Sequence, residues 1–184
     1  MARVTVTPES FTLVAFDPGL IEAWTAEIAD GVGLPADVEI HVDIDEATPF
    51  GRTSTAVSGR RVHVSVEGGA FEDPKELRRL SEPATRLVLG RLLHRVADRL
   101  DPGFGDVPPD DELTLPPHAA WDAYAVGRYA RLAGVDGGQG RRRYAFRLRH
   151  GFTDAADRAF DRLWSASGLT WAEIEAACSE CRGT

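Results

Sequence analysis

Two pairs with the same spacing carry the most chemically suggestive pattern in the chain: His94 with Asp98, and His118 with Asp122, each four positions apart. On a helix this spacing puts imidazole and carboxylate on one face, close enough to hold one metal ion or for the carboxylate to orient the ring. Asp101 falls on the same side as His94 and Asp98 at about 100° per residue. Two such pairs on facing helices would build a four-ligand site for a divalent ion such as zinc, with an open position for water and a carboxylate as general base. Arg91, Arg95 and Arg99 are interleaved with the first pair. They favour a plainer alternative, a solvated His–Asp pair opposite the core stripe.

A second candidate is the arginine-rich stretch 141–154, R-R-R-Y-A-F-R-L-R-H-G-F-T-D. Tyr144, Phe146 and Leu148 alternate with Arg143, Arg147 and Arg149, which predicts a strand or extended segment ahead of a helix starting at Thr153 or Asp154. Arg147, Arg149 and His150, with the open amides of that helix start, would then hold a small anion or an acidic partner, Arg143 adding charge. Competing with this is internal pairing to the chain's surplus acids, among them Glu72, Asp73, the 106–112 loop, Asp154 and Asp157.

Weaker signals complete the inventory. His41, Asp43, His63 and Glu67 fall on the polar side of two alternating strands and offer ordinary metal ligands, although a solvated sheet face has the same pattern. The loop Gly134 to Gly140 lacks G-K-[ST] and any strand–G-x-G-x-x-G–helix context, and reads as a flexible turn. Cys178 and Cys181 form half of a zinc motif without a second half, at a terminus expected to fray.

The elements that must position these residues follow from period and punctuation. Val4 and Val6, then 11–16, suggest one or two short strands; Leu20, Ile21, Trp24, Ile28 and Val32 mark a helix ending at Gly33. Val38 to Ile44 alternates strictly, and so does Val62 to Val66, with 53–57 joined to it through Ser58-Gly59 as a hairpin. Ser81 caps a core helix carrying Ala84, Val88, Leu92, Val96 and Leu100. The Pro/Gly/Asp-rich connector 101–112 is the expected mobile loop. Helices follow at 116–131, from Thr153 or Asp154 to about Trp164, and from the capping box Thr170-Trp171-Ala172-Glu173.

Paired strands followed by a long helix carrying a histidine resemble the zincin metallopeptidases in element order. Their active helix reads H-E-x-x-H; the aligned residues here are Gly90, Arg91, Leu92, Leu93 and His94, so the first histidine and the glutamate are absent. The resemblance covers at most Val38 to Asp101. It implies a zincin-like shape whose hydrolytic activity is lost.

With 184 residues and 43% apolar content, the chain suits one well-buried domain, strand-rich over 1–72 and helical over 73–184. A formal charge of −8 disfavours polyanions such as nucleic acid. Lys75 is the only lysine, so arginine clusters reflect overall composition as well as local need. Two cysteines, no leader and no long apolar run fit a soluble cytoplasmic protein outside any membrane. The expected fold is α+β, a small mostly antiparallel sheet packed on helices. In the absence of a complete catalytic motif, the first functional expectation is a non-catalytic binding module for an acidic partner or small anion. The alternatives are a divalent-metal hydrolase on His94, Asp98 and Asp101, His118 or Asp122, and a zincin-shaped relic turned binding module.

Overall fold

The computed structural model describes residues 2–181, and among them the fold is α+β. The chain divides into two compact units, Met1–Ala97 and Asp98–Thr184. Among the described residues no helix is long and apolar enough to cross a membrane.

In the first unit, strands β1 (Arg3–Thr7), β2 (Glu39–Asp45), β3 (Thr53–Ser58) and β4 (Arg61–Glu67) form one sheet in the order β1-β2-β4-β3. Strict alternation predicts the faces correctly: Val38, Ile40, Val42, Ile44, Val62, Val64 and Val66 are all buried. The direction of pairing differs from the expected mostly antiparallel sheet. β1 and β4 both lie parallel to β2, and only the β3–β4 hairpin is antiparallel. The cause is in the connections. Helix α1 (Pro18–Val32) is a crossover that returns the chain parallel to β1, and β3 occupies the far edge so that its hairpin brings β4 back beside β2. Alternation records which side is buried and is silent about strand direction.

Asp17 caps α1 by accepting from the Leu20 amide at 3.1 Å, and Gly33 closes it at φ +84°. The stretch 11–16 is not a strand. The Thr12 and Leu13 amides donate to the Glu46 carboxylate at 2.8 and 2.6 Å, which satisfies the backbone without a ladder and holds Glu46 below the usual carboxylate range.

Helix α2 (Glu82–Leu100) starts behind Ser81, whose hydroxyl accepts from the Ala84 amide at 3.3 Å. Leu92 and Val96 of the stripe are buried, as are Leu89 and Leu93 beside them, while Ala84, Val88 and Leu100 are partly buried. The opposite side is buried too, since Arg91, His94, Arg95 and Asp98 are all largely removed from solvent. The expected solvated face is therefore absent over this part of the helix.

The second unit contains α3 (Leu115–Ala133), α4 (Gln139–His150), α5 (Asp154–Ser165) and α6 (Trp171–Glu180) around a core that includes Trp121, Tyr124, Phe146, Phe160, Leu163 and Ile174. Residues 139–150 are helical and not extended. Of the three alternating apolar residues only Phe146 is buried, and its partner inside is His150, one helical turn on. Arginine, alanine and leucine are good helix formers, and a period of two over three residues was too short to overrule them.

Cys178 and Cys181 are buried in this core, the Cys181 thiol donating to the Ala177 carbonyl at 3.2 Å, where a frayed terminus was expected. Nor does the 101–112 connector hang loose. Arg99 donates to the carbonyls of Val107 and Pro108 and to Asp110, and the Phe104 carbonyl accepts from the Trp171 amide.

Candidate functional site

Helices α3 and α4 pack side by side in the second unit and leave a cleft of about 180 Å³ between them. His118 and Asp122 reach it from successive turns of α3. Arg142 and Arg149, seven residues apart, reach it from one face of α4. Asp122 organises the floor, with His118 Nδ1 at 3.8 Å and Arg142 Nη1 at 3.7 Å from its Oδ2. Arg149 is exposed at the rim, and among the described residues it has no ion-pair partner. Two guanidinium groups against a single carboxylate leave the cleft with a cationic excess.

The other predicted anion ligands have been drawn into the fold. Arg147 holds Asp157 through two hydrogen bonds at 2.7 and 2.5 Å, and Arg143 pairs with Asp161 and Asp157 while lying over the Phe160 ring at 4.6 Å. His150 is buried, stacked on Phe146 at 4.0 Å between centroids, with Nε2 3.0 Å from the Pro116 carbonyl. It ties the end of α4 to the start of α3 and does not face a solvent-borne ligand. Of the four residues Arg143, Arg147, Arg149 and His150, only Arg149 remains placed for an external anion.

The hydrogen bonds from Arg147, with the nearby charges of Arg147 and Arg143, hold the Asp157 carboxyl below its usual range. A carboxyl whose folded pKa is depressed adds stability above its unfolded value of about 3.9 and loses that contribution as pH falls through the folded value. Asp157→Asn is therefore expected to melt below the parent at pH 7, with the gap narrowing as pH falls below about 3.9. A gap that does not change over that fall would show that the carboxylate charge is not what Arg147 reads.

The alternative metal ligands are placed as follows. Asp98 accepts from Trp121 Nε1 at 2.7 Å and from both Arg128 terminal nitrogens at 2.8 and 2.6 Å, so a guanidinium already sits where a cation would go. Asp101 lies in an exposed turn and accepts from the Gly103 amide. His94 belongs to the first unit, Asp98, His118 and Asp122 to the second. Among the described residues no three His, Cys, Asp or Glu side chains gather as a metal would need.

On the open sheet face His41 and His63 do come together, rings stacked at 5.3 Å, as their register in β2 and β4 requires. His41 has a ring nitrogen 3.0 Å from the Thr5 hydroxyl and another 3.1 Å from that of Thr7, which donates to Asp43. Glu67 instead accepts from the Arg52 amide.

Sequence reasoning missed Arg142. The signal was available in the i,i+7 spacing of Arg142 and Arg149, which only matters once 139–150 is read as a helix. No protein-family model, no curated protein and no solved structure matches this chain.

Proposed function

We propose that the chain is a cytoplasmic, non-catalytic binding module whose second unit takes a small oxyanion, a carboxylate or phosphate group, in the α3–α4 cleft. Arg149 and Arg142 supply charged donors and His118 a ring nitrogen, while Asp122 keeps His118 and Arg142 facing inward. The observation that carries this is Arg149: in a helix whose other arginines include Arg143 and Arg147 tied to aspartates, it stands at the mouth of the cleft without an ion-pair partner among the described residues. The small number of cysteines supports a reducing compartment.

Calorimetric titration with inorganic phosphate and with acetate tests the proposal. Saturable binding by the parent is expected, weakened roughly tenfold by Arg149→Ala, a loss of about 1.4 kcal/mol that is ordinary for one charge-assisted hydrogen bond. Arg158→Ala, an exposed arginine outside the cleft, is expected to bind as the parent does. Equal weakening by both variants would mean that the anion responds to general charge and not to the cleft.

A further inference from the structure

Away from the cleft residues Arg142 and Arg149, α4 leaves an apolar face exposed. Tyr144 and Leu148, one turn apart, are 56% and 54% exposed, and Phe152 just beyond the helix end is 61% exposed. The Tyr144 and Phe152 rings meet edge to face at 5.8 Å, so the three form one apolar ridge. Arg141, one turn before Tyr144, is exposed and has no ion-pair partner among the described residues, and Arg147, tied to Asp157, lies over the Phe152 ring at 6.0 Å. In a chain of net charge −8, an apolar strip bordered by Arg141 and Arg147 is a local reversal of hydropathy and sign.

We infer that this ridge docks an acidic amphipathic helix of a partner protein. The occupant is set by complementarity. Tyr144 and Leu148 on α4, with Phe152 just past its end, offer a short apolar strip, which suits a partner helix presenting apolar side chains at i, i+3, i+4 and i+7. Arg141 then meets a carboxylate on that helix's flank. A nucleic acid fits less well: the two aromatic rings pack against each other instead of splaying as stacking platforms, Leu148 offers no ring, and the long-range field repels a polyanion. The inference stands apart from the proposed function, since Tyr144 and Leu148 occupy a different side of α4 from the cleft residues Arg142, Ala145, Phe146 and Arg149.

The test uses the full chain and a fluorescent synthetic helix of about 14 residues, with leucine at i, i+3, i+4 and i+7 and glutamate and alanine elsewhere. The expected result is saturable anisotropy, weakened roughly tenfold or more by Leu148→Glu and by Arg141→Glu. A peptide with lysine in place of glutamate is expected not to bind. Leu148→Glu is also expected to leave phosphate binding in the cleft at its parent value. Peptide binding without phosphate binding would therefore remove the small-anion cleft and keep the ridge. Absence of saturation with the acidic helix, equal binding of the lysine peptide, or binding of a single-stranded oligonucleotide alone would overturn the inference. So would concentration-dependent dimerisation abolished by Leu148→Glu, which would make a second copy of the chain the occupant.

Discussion

Replacing Asp98 with alanine is expected to destabilise the protein by about 3–5 kcal/mol, the range seen when one partner of a buried ion pair is removed. The Asp98 side chain is 5% exposed and takes the two-pronged guanidinium of Arg128 together with the indole N–H of Trp121. Without it, Arg128 stays largely buried over the Tyr124 ring at 3.9 Å with its charge uncompensated, and a core tryptophan loses its acceptor. Urea unfolding followed by tryptophan fluorescence measures the loss. Pairing the change with Arg128→Met is expected to restore part of it, because the double variant no longer strands a charge. A cost below about 1 kcal/mol, within the ordinary range for a surface pair, would contradict this role and reopen Asp98 as a group held for chemistry.

Gly127→Ala is expected to cost about 3 kcal/mol, at the upper end for overpacking. Alanine normally gains about 1 kcal/mol over glycine inside a helix, so the sign is informative. A methyl group at Gly127 would lie 2.9 Å from the Trp164 carbonyl carbon and closer still to its oxygen, both of them backbone atoms at the end of α5. Moving that turn away would also disturb Arg131, which donates to the carbonyls of Trp164 and Ala166. The control is Gly140→Ala, where a methyl group meets nothing within 4 Å and the helix gain is expected to appear as several tenths of a kcal/mol of added stability. Thermal or urea unfolding of the two variants separates them by sign; stabilisation by both would show that the α3–α5 approach at Gly127 has slack.

The two residues also mark the limits of sequence reading. Alternation over Val38 to Ile44 is a local signal and gave the buried face of β2 correctly, as the capping box at Thr170 gave the start of α6. Asp98, by contrast, reads from the sequence as one half of a His–Asp pair. Its actual partners stand 23 and 30 residues further on, at Trp121 and Arg128, and no local period points to them. The tightness at Gly127 likewise arises from contact with a carbonyl 37 positions away.

The candidate site was legible in part for a related reason. His118 and Asp122 were visible as an i,i+4 pair, and Arg149 as one of several arginines. Which arginines remain open to a ligand depends on where the acids of α5 fall: Asp157 and Asp161 sit at helical spacing opposite Arg147 and Arg143, and that matching exists only when both segments are helices. Reading 141–149 as extended put Arg143, Arg147 and Arg149 on one edge as equivalent groups. Winding it into α4 separates two structural arginines from one that faces the cleft and brings in Arg142.

The most direct measurement is an NMR titration of the full chain with inorganic phosphate, following backbone amide and arginine side-chain signals. Saturating shifts confined to His118, Asp122, Arg142, Arg149 and their immediate neighbours are the expected result, lost in Arg142→Gln/Arg149→Gln. Shifts centred instead on the sheet face around His41 and His63, or no saturable shift at all, would contradict the α3–α4 cleft as the binding site.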